Sequence, residues 1–428
     1  MSVRPGLCGV IVALLLVGCG AKSSLSVPRR AMDGGRDAGP QDSGPPPVDS
    51  GPDGGPPADD CIEVPFERPP SDLEVSFVTQ ISNADVFFLV DVTGSMGQEI
   101  LAIRTQLRDV IVPGLAAELP EARFSVGHFA DFPLPRFNYG DATDELFVML
   151  QRSTTDTSAI QTAVDSLPLQ GGRDGPEALT EALYLTASGE GFSRYAALRS
   201  CPDGTVGQPC FPALGSRIVI AFTDASTHNG PGGSESYQEG TVEPIPHTYD
   251  QTIRALNGIG AKVLGLYSGP VDSSDRDDIE AFARDTGAVR PDGTPIVLDI
   301  GQDGELLGPS VVEAVRTLVD EVPIDVDALV EDVNGDSVDA TQFVSAIVAE
   351  RAAPPRGATL ADNRFVNVAP GTRLTFRIEL VNDILPPTDR PQVFRLRVIL
   401  LADGSSRLLE RTVAVVIPAL GGRGCGAI

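Results

Sequence analysis

The sequence predicts an α/β domain with a doubly wound, mostly parallel sheet of six strands, inserted in or next to an all-β sandwich. Between residues 83 and 321, apolar strand-like runs alternate with helical patterns, which is typical of βαβ units. Helical patterns end at Pro323, and the short strand patterns beyond it are separated by PP, DG and NG turns. A chain of 428 residues is long enough for two or three domains.

The first strand of the α/β domain, at residues 84–90, is an uninterrupted apolar run that predicts burial on both faces of a sheet. The other strands are predicted at 123–132, 146–150, 217–224, 262–268 and 295–300, and the helices at 99–117, 157–166, 177–187, 248–257, 275–285 and 310–321. The helix at 275–285 begins with acidic residues, which suit the positive end of a helix dipole.

The sandwich, at 322–428, follows the α/β domain in the sequence. Its strands are predicted at 328–331, 343–349, 373–381, 393–401 and 408–417. Residues 72–81, within the segment 61–82, alternate between apolar and polar side chains and predict one more strand. The run beginning at Asp332 resembles an EF-hand loop, but Ser337 and Phe343 stand where glycine and a carboxylate are needed, so we interpret it as a turn.

The N-terminus carries a targeting segment. Residues 1–18 combine Arg4 with an apolar run, 10–17, that is too short to span a bilayer. The run ends in LVGC, which resembles a bacterial lipobox and implies lipidation of Cys19. In such lipoproteins an Asp after the lipidated cysteine is associated with retention in the inner membrane. Gly20 stands there instead, which favours the outer membrane or surface of a Gram-negative cell. Residues 19–60 are rich in Gly, Pro and Asp and predict a disordered tether. The alternative is a secretory signal with a chance cysteine.

Charge limits the partners of the chain. The formal net charge is −27, from 59 acidic and 32 basic residues, which argues against nucleic acid as a partner. It also argues against anionic membrane binding by the folded part, so we expect membrane contact only through the lipid.

Four cysteines remain after Cys8 is removed with the signal and Cys19 is assigned to lipid. Cys201 and Cys210 flank a Pro/Gly-rich loop that a disulfide closes easily, which leaves Cys61 and Cys425 for each other. The alternatives are the other two pairings and a zinc site. The spacing lacks a CxxC pair, which disfavours zinc.

Oxygen-bearing side chains follow two of the predicted strands. Asp91, Thr93 and Ser95 come at i, i+2 and i+4 after the first strand, and Asp224 follows the strand at 217–223. Ligands of doubly wound sheets bind beyond the carboxyl ends of the strands, at the switch point of strand order. Carboxylate and hydroxyl oxygens suit Mg²⁺. The alternative is an ordinary strand-to-helix turn.

The DVTGS motif resembles the D-x-S-x-S signature of von Willebrand factor A domains, which carries their metal-ion-dependent adhesion site. With VGHFAD (126–131), RDGPE (173–177) and FTDASTH (222–228), the chain is more closely similar to the A-like domain of integrin β subunits over about residues 72–321. This resemblance implies strand order 3-2-1-4-5-6 with one antiparallel edge, and a hybrid-like sandwich in which 72–81 pairs with 322–420. It implies Mg²⁺ (or Mn²⁺) bound by Asp91, Thr93, Ser95, Glu177 and Asp224.

The same resemblance implies an adjacent Ca²⁺ site formed by Asp131, Asp174, Glu177 and the carbonyl of Pro176. Carboxylates so close to the first site would repel one another, and a second cation relieves that repulsion. A third integrin-type site is not expected, because Gln98 and Glu99 supply only one carboxylate. His228 is expected near the metal face but not as a ligand.

Together these features predict a non-enzymatic surface lipoprotein that binds a protein ligand, whose exposed Asp or Glu completes the coordination of the cation. One alternative is a structural envelope protein whose cations only stabilise the fold. A metal-dependent hydrolase is the other, but Thr93 stands where its second Asp is needed. The loops at 192–216 and 227–247 are expected to set specificity.

Overall fold

A computed structural model describes residues 60–79, 84–270, 273–333, 335, 338–422 and 424–427. The predicted signal peptide, Cys19 and all of the tether except Asp60 lie outside these residues, as do residues 80–83. Among the described residues, no helix is long and apolar enough to cross a membrane.

The described elements follow the order expected for an α/β domain placed between parts of a β domain. The strands are β1 (Asp60–Glu63), β2 (Ser71–Val78), β3 (Ala84–Asp91), β4 (Arg123–Phe129), β5 (Phe147–Thr154), β6 (Thr205–Val206), β7 (Phe211–Pro212), β8 (Ser216–Thr223), β9 (Ala261–Tyr267), β10 (Val297–Asp299), β11 (Ile324–Asp332), β12 (Val344–Ala353), β13 (Thr359–Ala361), β14 (Arg364–Val368), β15 (Arg373–Leu380), β16 (Gln392–Ala402) and β17 (Ser406–Ile417). The helices are α1 (Gly97–Gln106), α2 (Val112–Glu118), α3 (Thr157–Asp165), α4 (Leu179–Ser188), α5 (Tyr249–Gly258), α6 (Asp275–Asp285) and α7 (Leu307–Glu321).

The α/β domain is a six-stranded sheet with the order β10-β9-β8-β3-β4-β5. In chain order this is 3-2-1-4-5-6, and only the edge strand β5 runs antiparallel to its neighbour. The predicted fold class is confirmed. Every residue of β3 is buried, because β3 lies in the middle of the sheet with helices on both faces.

The predicted helix at 99–117 is wrong as a single α-helix. α1 passes into a π-helical turn, Leu107–Ile111, before α2 begins. Pro113 in the first turn of α2 has no N–H, and its ring excludes the carbonyl of Asp109 from the usual helical position. The Val112 N–H bonds instead to the Leu107 carbonyl, five residues earlier, which is the π-helical pattern.

Two other predicted helix starts are also wrong. α7 begins at Leu307 and not at residue 310, because a proline in the first turn, Pro309, is compatible with a helix. α4 begins at Leu179 and not at residue 177. Glu177 is held in an extended segment instead, where its N–H bonds to the Ser226 carbonyl at 3.0 Å.

Strand ends differ from the prediction by a few residues. β4 ends at Phe129, before residue 132, and β5 extends to Thr154, past residue 150. β10 is shorter than the predicted strand at 295–300. Strand ends depend on pairing partners, which local alternation does not identify.

The sandwich consists of a sheet with the order β1-β17-β16-β11-β14-β13 and a three-stranded sheet with the order β12-β15-β2. β1, β13 and β14 were not predicted, because these segments of four, three and five residues show no clear periodicity. The run from Asp332 forms the connection from β11 towards β12, where Asp332 Oδ1 accepts a bond from Ala340 N at 2.8 Å. Residues 334, 336 and 337 of this run lie outside the described part.

The α/β domain is inserted into the sandwich. β2 precedes it in the chain yet pairs antiparallel with β15, from Ser71 opposite Leu380 to Val78 opposite Arg373. β1 pairs in parallel with β17, and a disulfide joins Cys61 to Cys425 across 364 positions of sequence. These are the strand pairing and the cysteine pair expected from the sequence.

Direct contacts join the two domains. The Lys262 ammonium lies 2.6 Å from Asp403 Oδ2, and Ser406 Oγ donates to the Gly260 carbonyl at 3.1 Å. Gly215 N donates to the Arg407 carbonyl, also at 3.1 Å. The second disulfide, Cys201–Cys210, closes a loop that contains β6 and ends directly before β7.

Candidate metal centre

The candidate site lies where β3 and β8 end. These neighbouring parallel strands pair from Ala84 opposite Ser216 to Val90 opposite Phe222, so Asp91 and Thr223 reach the same edge of the sheet. The chain moves to one side of β3 for β4 and β5, and then to the other side for β8. The site therefore occupies the switch point at which doubly wound sheets bind ligands.

Asp91 is fully buried at the base of the site, and three protons face it. Its Oδ1 accepts bonds from the backbone N and the Oγ1 of Thr93, at 2.9 and 2.7 Å. Its Oδ2 accepts a bond from Thr223 Oγ1 at 2.8 Å. Burial, together with the negative charge of Asp224, raises the pKa of Asp91 to about 7.

Ser95 and Asp224 form the solvent-facing side of the site. Ser95 Oγ donates to Asp224 Oδ1 at 3.0 Å and lies 3.5 Å from Thr93 Oγ1. Ser95 is exposed, whereas Thr93 is buried. The structure thus brings together Asp91, Thr93, Ser95 and Asp224, and one side of the group is open to solvent.

Glu177 is buried next to this group. Its backbone pairs with the loop after β8, because its carbonyl accepts bonds from His228 N at 2.9 Å and from Thr227 Oγ1 at 3.0 Å. Its Oε2 is buried without a hydrogen-bond partner among the described residues. Burial, followed by the charges of Asp91, Asp131 and other nearby acids, raises the pKa of Glu177 to about 11.

A glycine-rich loop holds Glu177 against the first motif. Gly171 and Gly172 donate backbone N–H groups to the two carboxylate oxygens of Asp144, at 2.9 and 3.0 Å. Gly172 has φ +67°, and a Cβ there would lie 2.7 Å from Glu177 Oε1 and 3.3 Å from Thr93 Cβ. Glycine is required at this position, because the positive φ angle is unfavourable for other residues and there is no room for a Cβ atom.

A second group of side chains lies beside Glu177. His228 Nε2 is 3.5 Å from Asp131 Oδ2 and 3.2 Å from Asp174 Oδ2. Tyr237 OH donates to Asp131 Oδ1 at 2.5 Å. Burial raises the pKa of Asp131, although the nearby His228 and the hydrogen bond from Tyr237 oppose this shift. The two carboxylates raise the pKa of His228 to about 10, against the opposing effect of its burial.

Both groups have the chemistry of cation sites. The first offers carboxylate and hydroxyl oxygens, the donors that Mg²⁺ prefers. The buried oxygens without hydrogen bonds include Asp131 Oδ2, Asp174 Oδ1 and Glu177 Oε2. Carboxylates that are buried together in this way need a cation or protons, since otherwise their charges repel.

Two expectations from the sequence remain open. No described contact involves the Pro176 carbonyl, so its role as a ligand stays a prediction. Glu99, the single carboxylate after the first motif, is buried, and its Oε2 has no hydrogen-bond partner in the described part of the chain.

Solved structures similar to this chain include von Willebrand factor A proteins. A von Willebrand factor type A protein from Catenulispora acidiphila shows 11% identity and a TM-score of 0.37, with 84% of this chain and 72% of that one covered. The pilus adhesin SpaC from Lactobacillus rhamnosus GG, in an open conformation, shows 11% identity and a TM-score of 0.35, with 82% of this chain covered. This chain spans 46% of that adhesin.

The SpRpn10 VWA domain shows 14% identity and a TM-score of 0.30, with 53% of this chain and 93% of that domain covered. No protein-family model and no curated protein matches the sequence. Similarity at these values carries no information about ligands or partners.

His228, expected near the metal face from its place in the FTDASTH stretch, lies against Asp131 and Asp174 and so belongs to the second group. Tyr237 is a member that no prediction included. It carries no local signal, because it reaches Asp131 from a loop more than a hundred positions away in sequence.

Proposed function

We propose that this protein is a surface lipoprotein whose α/β domain binds a protein partner through a cation held by Asp91, Thr93, Ser95, Asp224 and Glu177. The observation that carries the proposal is the arrangement at the ends of β3 and β8. Two acids and two hydroxyls meet there, and the side formed by Ser95 is open to solvent.

The donor set supports Mg²⁺ or Mn²⁺ as the cation. Two hydroxyls donate little electron density, so a bound ion keeps a strong affinity for a further anionic oxygen. An exposed Asp or Glu of a partner protein supplies that oxygen and completes the coordination. The mechanism is binding and not catalysis.

The loop at 227–247 carries His228 and Tyr237 beside the site and is proposed to set specificity. The later part of the loop at 192–216 reaches the opposite end of the sheet, where the Pro209 carbonyl accepts a bond from Ser153 N and Gly215 N donates to the Arg407 carbonyl. In this proposal a lipid on Cys19 anchors the protein to the outer membrane or cell surface. Residues 19–60 serve as a tether that holds the binding domain away from that surface. The charge of −27 opposes nucleic acid as a partner.

The test uses Asp91→Ala beside the matched control Asp320→Ala, which removes an exposed acid on α7. Isothermal titration with Mg²⁺ is expected to show binding in the wild type and the control, and none in Asp91→Ala. Pull-down from surface extracts is expected to recover a partner only with an intact site and without EDTA.

Equal Mg²⁺ affinity in the wild type and Asp91→Ala would refute the proposal. A partner retained in EDTA would show that binding does not depend on the cation. Loss of folded structure in EDTA, with no partner recovered in Mg²⁺, would favour a purely structural cation. Hydrolysis of phosphate esters that disappears in Asp91→Ala would favour the hydrolase.

A further inference from the structure

His228 lies next to Glu177, against the buried Asp131 and the partly buried Asp174. Its Nδ1 is 2.6 Å from the Glu235 carbonyl, which can only accept a hydrogen bond, so Nδ1 carries a proton. Its Nε2 faces Asp174 Oδ2 at 3.2 Å and Asp131 Oδ2 at 3.5 Å. A proton on Nε2 pairs the ring with both carboxylates. When a metal ion displaces that proton, the Nε2 lone pair and the two carboxylates face the same point and can bind the ion together.

The partners of Asp131 and His228 orient these two side chains towards each other. Phe132 N and Tyr237 OH donate to Asp131 Oδ1, at 2.7 and 2.5 Å, and leave Asp131 Oδ2 without a hydrogen bond. Asp131 has no exposed surface. A histidine that donates one ring N–H to a carbonyl and presents the other nitrogen is the usual arrangement around a bound metal.

Aromatic rings fix the imidazole in this position. The ring centroid of Tyr237 lies 4.1 Å from that of His228, and the Tyr139 ring packs against it edge-on at 5.2 Å. Tyr139 OH in turn accepts a bond from Gln238 N at 2.8 Å, which ties the loop carrying Tyr237 to the same cluster. The imidazole is therefore positioned before any ligand binds.

The two separations from His228 Nε2 match a small cation, and all three ligand atoms lie within 4.8 Å of one another. Tetrahedral coordination at about 2.1 Å places ligand atoms about 3.4 Å apart, and octahedral coordination places them about 3.0 Å apart. The observed separations of 3.2 and 3.5 Å lie in this range. One imidazole nitrogen among the donors favours an ion of borderline softness over Ca²⁺, which takes oxygen ligands.

We propose that Asp131, Asp174 and His228 form a binding site for a borderline divalent ion, of which Zn²⁺ is the representative, beside the Mg²⁺ site. This differs from the expectation of an all-oxygen Ca²⁺ site in the same place. The inference goes beyond the proposed function, because it needs no partner protein and no ion at Asp91.

The experiment is a titration of the metal-free full chain with Zn²⁺ and with Ca²⁺, followed by calorimetry. The variant His228→Gln removes the nitrogen ligand. The matched control His247→Gln alters a histidine of the same domain, whose Nδ1 bonds instead to Glu181 Oε1 at 2.8 Å. Asp91→Ala removes only the first site, which keeps failure of the two proposals distinguishable.

We expect one Zn²⁺ to bind to the wild type, Asp91→Ala and His247→Gln with similar affinity. His228→Gln removes a direct ligand and is expected to lower the Zn²⁺ affinity at least about 100-fold. Removing a group that only supports a metal ligand costs up to about 100-fold. Ca²⁺ at equal concentration is expected not to displace the ion.

Unchanged Zn²⁺ affinity in His228→Gln, or displacement of Zn²⁺ by equimolar Ca²⁺, would overturn the proposal. So would the absence of Zn²⁺ binding, which would leave a protonated His228 as the only cation between the acids. If His228→Gln does not fold, the test is instead the visible spectrum of the wild type after Co²⁺ is added in place of Zn²⁺. Visible absorption of a nitrogen-ligated Co²⁺ supports the site, and its absence refutes it.

Discussion

Glu177→Gln is expected to stabilise the protein in EDTA and to weaken it in Mg²⁺. Glu177 is buried among acids, and its pKa is raised from the ordinary value of 4.5 to about 11. Without a metal, folding at pH 7 must therefore take up a proton at Glu177, which costs free energy. A glutamine is already neutral and avoids that cost.

The size of the effect follows from proton linkage. Proton uptake at Glu177 costs nothing below pH 4.5, where the unfolded chain is also protonated there, and its cost rises steadily as the pH increases towards about 11. At pH 7 the solution is about 2.5 units above the pKa of the unfolded glutamate, so proton uptake costs about 3 kcal/mol. At pH 5.5 it is about 1 unit above that pKa, and the cost is about 1 kcal/mol. The glutamine variant should therefore gain about 3 kcal/mol at pH 7 and about 1 kcal/mol at pH 5.5.

Urea unfolding of both proteins in EDTA at the two pH values measures the difference. In saturating Mg²⁺ the sign should reverse, because glutamine removes an anionic ligand of the ion. The matched control is Glu181→Gln, because Glu181 is also buried but both of its carboxylate oxygens have partners. Its Oε2 accepts a bond from His247 N at 2.7 Å, and its Oε1 lies 2.8 Å from His247 Nδ1. That control should not be stabilised at either pH.

A Glu177→Gln variant that is less stable than the wild type in EDTA at pH 7 would show that proton uptake at Glu177 does not cost stability. A gain that is the same at pH 5.5 and pH 7 would also contradict the prediction, because that gain would come from packing and not from proton uptake.

Three further outcomes are expected. Replacing Cys61 and Cys425 by serine should lower the free energy of unfolding by about 2–5 kcal/mol, and an unchanged urea midpoint would contradict this. Tyr237→Phe removes a donor to buried Asp131 and should cost about 1–3 kcal/mol, measured by thermal unfolding against the wild type. Cys19→Ser should shift the protein from the detergent to the aqueous phase or block its processing; mass spectrometry of a mature N-terminus elsewhere, without an acyl mass, would exclude the lipid anchor.

Local sequence predicted the fold class because the relevant patterns are short. An uninterrupted apolar run identifies β3 as a central strand, and alternation identifies β15 and β16 as strands with one buried face. The predictions failed where local pattern is weak or overridden. β13 and β14 are too short to show a period, and Glu177 is drawn out of a helix by pairing with the loop after β8.

The sequence by itself determined the first motif, since Asp91, Thr93 and Ser95 are close neighbours in the chain and their spacing follows from the turn after a strand. The sequence also predicted Asp224 in the same site, because both strands end at one edge of the sheet. Only the tertiary structure supplies the register of β3 with β8 that brings Asp224 Oδ1 within 3.0 Å of Ser95 Oγ. It alone brought His228 between Asp131 and Asp174. The raised pKa of Glu177 is also a result of the tertiary structure. Burial and the charges of residues distant in sequence raise it, and the local sequence determines neither.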